Sequence, residues 1–299
     1  MGVLFGQTTR LYDIPYLTVA EYKSAPTAID FSNLVTDNPD PAVQDAELAN
    51  VIMRGSSWID IHCNQVLAAT SETEQQRARL RPDGMIAIHP RYFPVVAVSA
   101  FSFGLYPNQM VDYPDPSQGW VEDETILLPY SAANIGYSSQ GPLQFGLPAA
   151  PRQQVYCRYT YIAGFPNTLL AAGVNAGVST ITVTDASGIT AGTRLTMYDG
   201  ANTETVTVAS TYTYGSLTVP LTAAVGFAHA SGISVSALPP AVKQAAILAT
   251  TAFIKVRGDT SLTMDVLSSP TQPTNRVPRD IASDLGLAAE LLKPFRRIR

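Results

Sequence analysis

The residues able to do chemistry in this chain are three histidines, two cysteines, a few acid clusters and one basic run. Their spacing gives no catalytic constellation. His62, His89 and His229 stand alone, without the HxxxH or HExxH pairs that converge on a metal. His62 beside Cys63 cannot chelate from a helix, because adjacent side chains point about 100° apart. Each histidine is expected to be a hydrogen-bonded structural residue. Glu122-Asp123-Glu124 could attract a cation, but three consecutive acids in a strand do not converge on one ion, and a solvated loop suffices. Asp199 to Glu204 (DGANTE) lacks the DxDxDG spacing of a calcium loop. No GxxxxGK[ST] loop, GxSxG elbow or helix-opening GxGxxG is present. The expectation is therefore no enzyme, no metal and no cofactor. Cys63 and Cys157 are isolated, so no disulfide framework is written, and two buried free thiols are expected.

The basic run closes the chain. Lys293-Pro294-Phe295-Arg296-Arg297-Ile298-Arg299 has four bases in seven residues. Four bases could touch DNA phosphates, or the stretch could be a functionless terminus. Phe295 and Ile298 favour a third use. Two apolar anchors among arginines suit docking on a protein partner, so Lys293, Phe295, Arg296, Arg297, Ile298 and Arg299 form the candidate partner-binding set.

Helical text lies at both ends and must position that set. Thr18-Val19-Ala20-Glu21 has capping-box form and predicts a short helix near 18–24. Asp40-Pro41 is a cap followed by a proline suited to the first helical position. It starts a long helix over 42–67, with Val43, Leu48, Ile52, Ile59 and Val66 as its apolar stripe. Asp37, Asp40, Asp45 and Glu47 crowd the end where the helix dipole favours acids. Pro239-Pro240 opens a helix through Arg257, stopped at Gly258. A Pro-rich linker follows, and the final helix spans 278–292 despite Gly286.

Between these ends the period changes to two. Arg77, Arg79 and Arg81 alternate with Ala78 and Leu80, Pro82-Asp83-Gly84 turns the chain, and Met85 to His89 and Phe93 to Phe103 continue the β pattern. Residues 104–150 read as long Pro/Tyr loops, and 155–162 as a further strand. In 173–237, thirteen of 65 residues are Thr and four are charged. Strands at 180–184, 194–198, 203–209 and 216–221 predict a small β-sandwich or barrel. The fold class is α+β. A helical core from 1–70 and 238–299 would carry a β-rich extension (71–172) and an inserted Thr-rich β domain (173–237).

Charge is 14% of the 299 residues, against roughly 25% in ordinary soluble domains. Residues 1–124 hold 16 acids and 7 bases, 125–242 hold three of each, and 243–299 hold 9 bases and 5 acids. A generally basic nucleic-acid binder is not indicated. The near-neutral middle is expected to be a contact surface, where buried charge would cost desolvation energy. No secretory signal, lipid-anchor motif or membrane-length apolar run is expected, since 245–254 is about half the ~20 residues needed.

One stretch, Pro239-Pro240-Ala241-Val242-Lys243-Gln244-Ala245-Ala246-Ile247-Leu248 through Ile254-Lys255-Val256-Arg257-Gly258-Asp259, resembles the helix of head–tail connector (adaptor) proteins of long-tailed bacteriophages. The ending Leu287 to Arg299 is similar to that family's closing helix and tail. Leu17 to Tyr22 and the helix with Ala46-Glu47-Leu48 are similar to its N-terminal helices. The Thr-rich unit is similar to β insertions of larger members. The resemblance implies a virion protein forming a homo-oligomeric ring, usually of twelve subunits, at the neck. It would sit between the portal protein and a stopper, neck or tail-terminator protein, with genomic DNA in its lumen and no membrane. It also implies portal docking by the C-terminal set. The charge distribution itself adds the expectation that the acidic N-terminal half faces the DNA channel, where like charges keep DNA from sticking. The alternative is a minor tail or adhesin-like protein whose β domain engages carbohydrate or protein.

Overall fold

The computed structural model describes residues 15–27, 29–31, 34–35, 38, 40–81, 84–113, 115–122, 124–129, 154–255 and 279–297. Asp37, Pro82-Asp83, Asp123, residues 130–153, the stop at Gly258, the Pro-rich linker, Ile298 and Arg299 lie outside the described residues. The chain forms two compact units, one of residues 69–165 and one of 15–68 with 166–297.

The first unit is a curled antiparallel sheet of seven strands. They are β1 (Thr70–Leu80), β2 (Met85–Ile88), β3 (Val95–Tyr106), β4 (Gln109–Asp112), β5 (Trp120–Glu122), β6 (Thr125–Pro129) and β7 (Gln154–Ala163), in the order β4-β3-β7-β1-β2-β6-β5. Alternation fixes which face is buried. On β7, Val155, Cys157, Tyr159, Tyr161 and Ala163 are inside, and they meet Ile86, Ile88, Phe101, Phe103, Tyr113, Ile126 and Leu128. β1 and β7 pair from Thr70↔Ala163 to Arg79↔Gln154. β3 shifts register twice against β7, between Val95 and Ala97 and between Val98 and Ala100. Such bulges increase local twist and help a sheet curl. The long loop expected from residue 104 is corrected here. Residues 109–129 contribute β4, β5 and β6, which are three to five residues long: β4 pairs with β3, β6 with β2, and β5 with β6.

The second unit joins helices from both ends with the Thr-rich strands. Its helices are α1 (Val19–Ser24), α2 (Pro41–Cys63), α3 (Pro240–Lys255) and α4 (Arg279–Leu292). The capping box forms as spelled: Thr18 Oγ1 accepts from Glu21 N at 3.1 Å, and Thr18 N donates to Glu21 Oε2 at 2.6 Å. Asp40 Oδ1 accepts from Ala42 N at 2.9 Å and starts α2. The helix ends at Cys63, four residues earlier than the apolar stripe suggested, because Asn64 turns left-handed (φ 57°). Asparagine tolerates that conformation better than most residues. α2 packs on α3, and α3 on α4. Gly55 is the close point: a Cβ there would lie 3.0 Å from Thr250 Oγ1 and 3.2 Å from Thr250 N.

The Thr-rich strands are β8 (Asn167–Leu169), β9 (Thr180–Thr182), β10 (Arg194–Tyr198), β11 (Glu204–Thr207), β12 (Thr218–Pro220) and β13 (Ser234–Ser236). They form a four-stranded sheet, β11-β10-β13-β8, and a two-stranded one, β12-β9. Both bury side chains in one apolar cluster that includes Ile181, Val183, Leu195, Met197, Val219 and Val235. Threonines such as Thr196 and Thr205 pair on the outside, 2.9 Å apart. They keep the surface wet without charge.

Candidate functional site

The described part of the C-terminal set, Lys293 to Arg297, sits at the end of α2. After Leu292 the chain makes a 3-10 turn, Lys293–Phe295. Phe295 is half-buried, and its carbonyl accepts from Gln65 Nε2 at 3.0 Å. Arg297 N donates to Cys63 O at 2.9 Å. Those carbonyl and amide contacts tie the tail to the orphan end of α2, where helix carbonyls lack intrahelical partners. Lys293 pairs with Glu290 at 2.6 Å on the exposed surface, a contact of little energetic weight. Arg296 is exposed. Four of the six candidate residues, Lys293, Phe295, Arg296 and Arg297, are thus brought together at one end of the helices.

Arg296 also acts on its neighbours. Burial, with a smaller repulsion from Arg296, lowers the pKa of His62. The His62 ring stacks on Trp58 at 5.2 Å between centroids. Burial pushes the Cys63 thiol up to about 12, against a weaker pull from Arg296. Burial likewise pushes Cys157 up to about 12. Both cysteines are free and buried, and at neutral pH both are protonated and poor nucleophiles.

Two polar clusters join residues that lie far apart in the sequence. In the first, Lys243 Nζ donates to Glu21 Oε1 at 2.7 Å and to Ser234 Oγ at 3.1 Å, over the Tyr198 ring at 4.4 Å. Burial lowers the Lys243 pKa, and Glu21 opposes the shift. In the second, His229 is enclosed between Asp199 Oδ2 (2.9 Å to Nδ1) and Glu204 Oε1 (2.8 Å to Nε2). Glu204 also accepts from Gly226 N and Phe227 N. Burial tends to raise the Glu204 pKa, but those N–H donors and His229 outweigh it, and the net shift is downward. This ties the β10–β11 hairpin to the 225–229 segment. The His229 imidazole is fully enclosed. The signals were present (Glu21 in a capping box, a lone histidine in a Gly/Ala turn), but their partners lie 222 and 25–30 residues away.

His89, expected within a strand, falls just past β2, and its Nδ1 meets Thr125 Oγ1 at 3.1 Å. Among the described residues no group of three or more His, Cys, Asp or Glu could hold a metal ion. Among them, too, no helix is long and apolar enough to cross a membrane.

No family model matches the chain, and no curated protein matches it. Among solved structures it is similar to a chain of "Neck of empty GTA particle computed with C6 symmetry". Identity is 13%, coverage is 95% of this chain and 95% of that one, and the TM-score is 0.35. A TM-score of that size does not establish a shared fold, so the function proposed for this chain rests on its own residues.

Proposed function

We propose that the chain is a structural, non-enzymatic virion protein of a phage-like neck, a head-to-tail adaptor. In this reading it forms a homo-oligomeric ring between a portal protein and a stopper, neck or tail-terminator protein, and the genome passes through the ring. One observation supports it most. The two stretches that resemble connector proteins, 239–259 and 287–299, contain α3 and the C-terminal turns of α4 (287–292), and these two helices pack on each other. α2, from the other end of the chain, packs on α3. The exposed Arg296 at the end of this helical body suits docking on an acidic partner surface.

Mass measurement of the purified chain, alone and mixed with a portal ring, tests the reading. The expected result is a closed oligomer that binds the portal. A chain ending at Leu292 should keep its helical signal and lose portal attachment. Persistent monomers that ignore the portal but bind glycans would replace this reading with the adhesin-like one.

A further inference from the structure

The sum of charge over the N-terminal half hides how the sheet sorts it. β1 carries two acids, Glu72 and Glu74, and two arginines, Arg77 and Arg79. Even positions face the sheet's interior: Ala78 is buried there, and Glu74 accepts from the Tyr159 and Tyr161 hydroxyls at 3.0 and 2.5 Å. Odd positions face out. Across from them on β7 are Gln154, Tyr156, Arg158 and Thr160, paired with Arg79, Arg77, Gln75 and Thr73. On the outward face of the two central strands the only charges are therefore Arg77, Arg79 and Arg158, and all three side chains are exposed.

Adjacent same-face residues on a strand are about 6.8 Å apart, and Arg158 sits one diagonal step from Arg77. Arg77 lies over the Tyr156 ring at 4.7 Å, which fixes its guanidinium. Arg79 and Arg158 make no ion pair among the described residues. The remaining outward residues include Thr73, Gln75, Gln154 and Thr160, all neutral donors. Acids on this face return at the edge strands: Asp112 on β4, taken by Ser102 Oγ at 2.8 Å, and Glu122 on β5.

We propose that this outward face of β1 and β7 is a contact surface for double-stranded DNA, gripping phosphates through Arg77, Arg79 and Arg158 without reading sequence. Arginines and neutral hydrogen-bond donors are the residues that hold a phosphate backbone. Tyr156 is already covered by Arg77, so the face offers phosphate contacts in place of a base-stacking platform. The charge pattern of the sheet carries this, and the neck reading adds only that a duplex would be at hand.

The test is fluorescence anisotropy of a labelled random-sequence duplex with the purified full chain across a salt series. Three phosphate contacts give a slope of log K against log salt near −2.7, so affinity falls about 40-fold between 50 and 200 mM. R79Q/R158Q should reduce the slope to about −0.9, and R158Q alone to about −1.8. Thermal melts of each variant confirm that the sheet is intact. Absence of binding at 50 mM salt, or a slope unchanged in both variants, overturns the proposal. If the chain self-associates without DNA and R79Q/R158Q abolishes that, the face belongs to an acidic surface of a second copy, and the proposal also falls. Portal binding measured on R79Q/R158Q is expected to be unchanged, so failure of the DNA contact and failure of the neck reading are separate results.

Discussion

At the residue scale, the buried Lys243–Glu21 pair is the place where one atom change should cost most. Each partner is under a tenth exposed, and removing one leaves an uncompensated charge in a poor solvent for it. K243M should destabilise the second unit by about 3–5 kcal/mol in denaturant melts, and E21Q/K243M by clearly less than the sum of its single changes. Glu204 gives a pH dependence with a definite sign. Its folded pKa lies below its unfolded one, so its contribution is present above about pH 4.5 and is lost as pH falls through the folded value. Acid titration followed by melting temperature should show this loss, and E204Q should flatten it. The raised thiols predict that Cys63 and Cys157 resist alkylation until the chain unfolds, readable by mass shift under native and denaturing conditions. Thr18 and Glu21 were legible as a cap because capping is local. The second task of Glu21 was not, since nothing short-range marks a partner 222 residues on.

At the element scale, the readable features were those whose physics is local or periodic. Asp40-Pro41 announced α2, the Pro239-Pro240 pair announced α3, and the exact span Arg194–Tyr198 of β10 followed from alternation and a turn residue. The three-residue strands β5 and β8 were not readable, because no alternation or turn residue marks them and pairing across the sheet decides them. Two glycines were also silent in the sequence but are decisive in space. Gly104 has no room for a side chain: a Cβ would lie 2.0 Å from Gln109 O. G104A should therefore open the β3–β4 hairpin, seen as faster amide exchange at Val111 and Asp112. Gly55 lets α2 and α3 touch. G55V should cost about 1–3 kcal/mol by overpacking against Thr250, measured by denaturant melts.

At the scale of the whole molecule, the even appearance of a low-charge chain resolves into separate regions. The Thr-rich strands replace charge with paired hydroxyls, and the first unit keeps its charges but sorts them by face. Neither arrangement follows from composition, since both depend on which residues end up beside each other. One further property lies in how the chain enters and leaves the first unit. Ala69 N donates to Phe165 O at 2.8 Å, and Thr70 pairs with Ala163. Entry and exit are thus a single doorway, which makes deletion of the sheet a direct test of whether it is a self-contained cassette. Joining residue 69 to residue 165 through a few glycines adds almost no loop-closure cost to what remains. The shortened chain should retain the helical circular-dichroism signal and a cooperative melt. The excised cassette, fused to another host at a tight turn, would carry its arginine face with it.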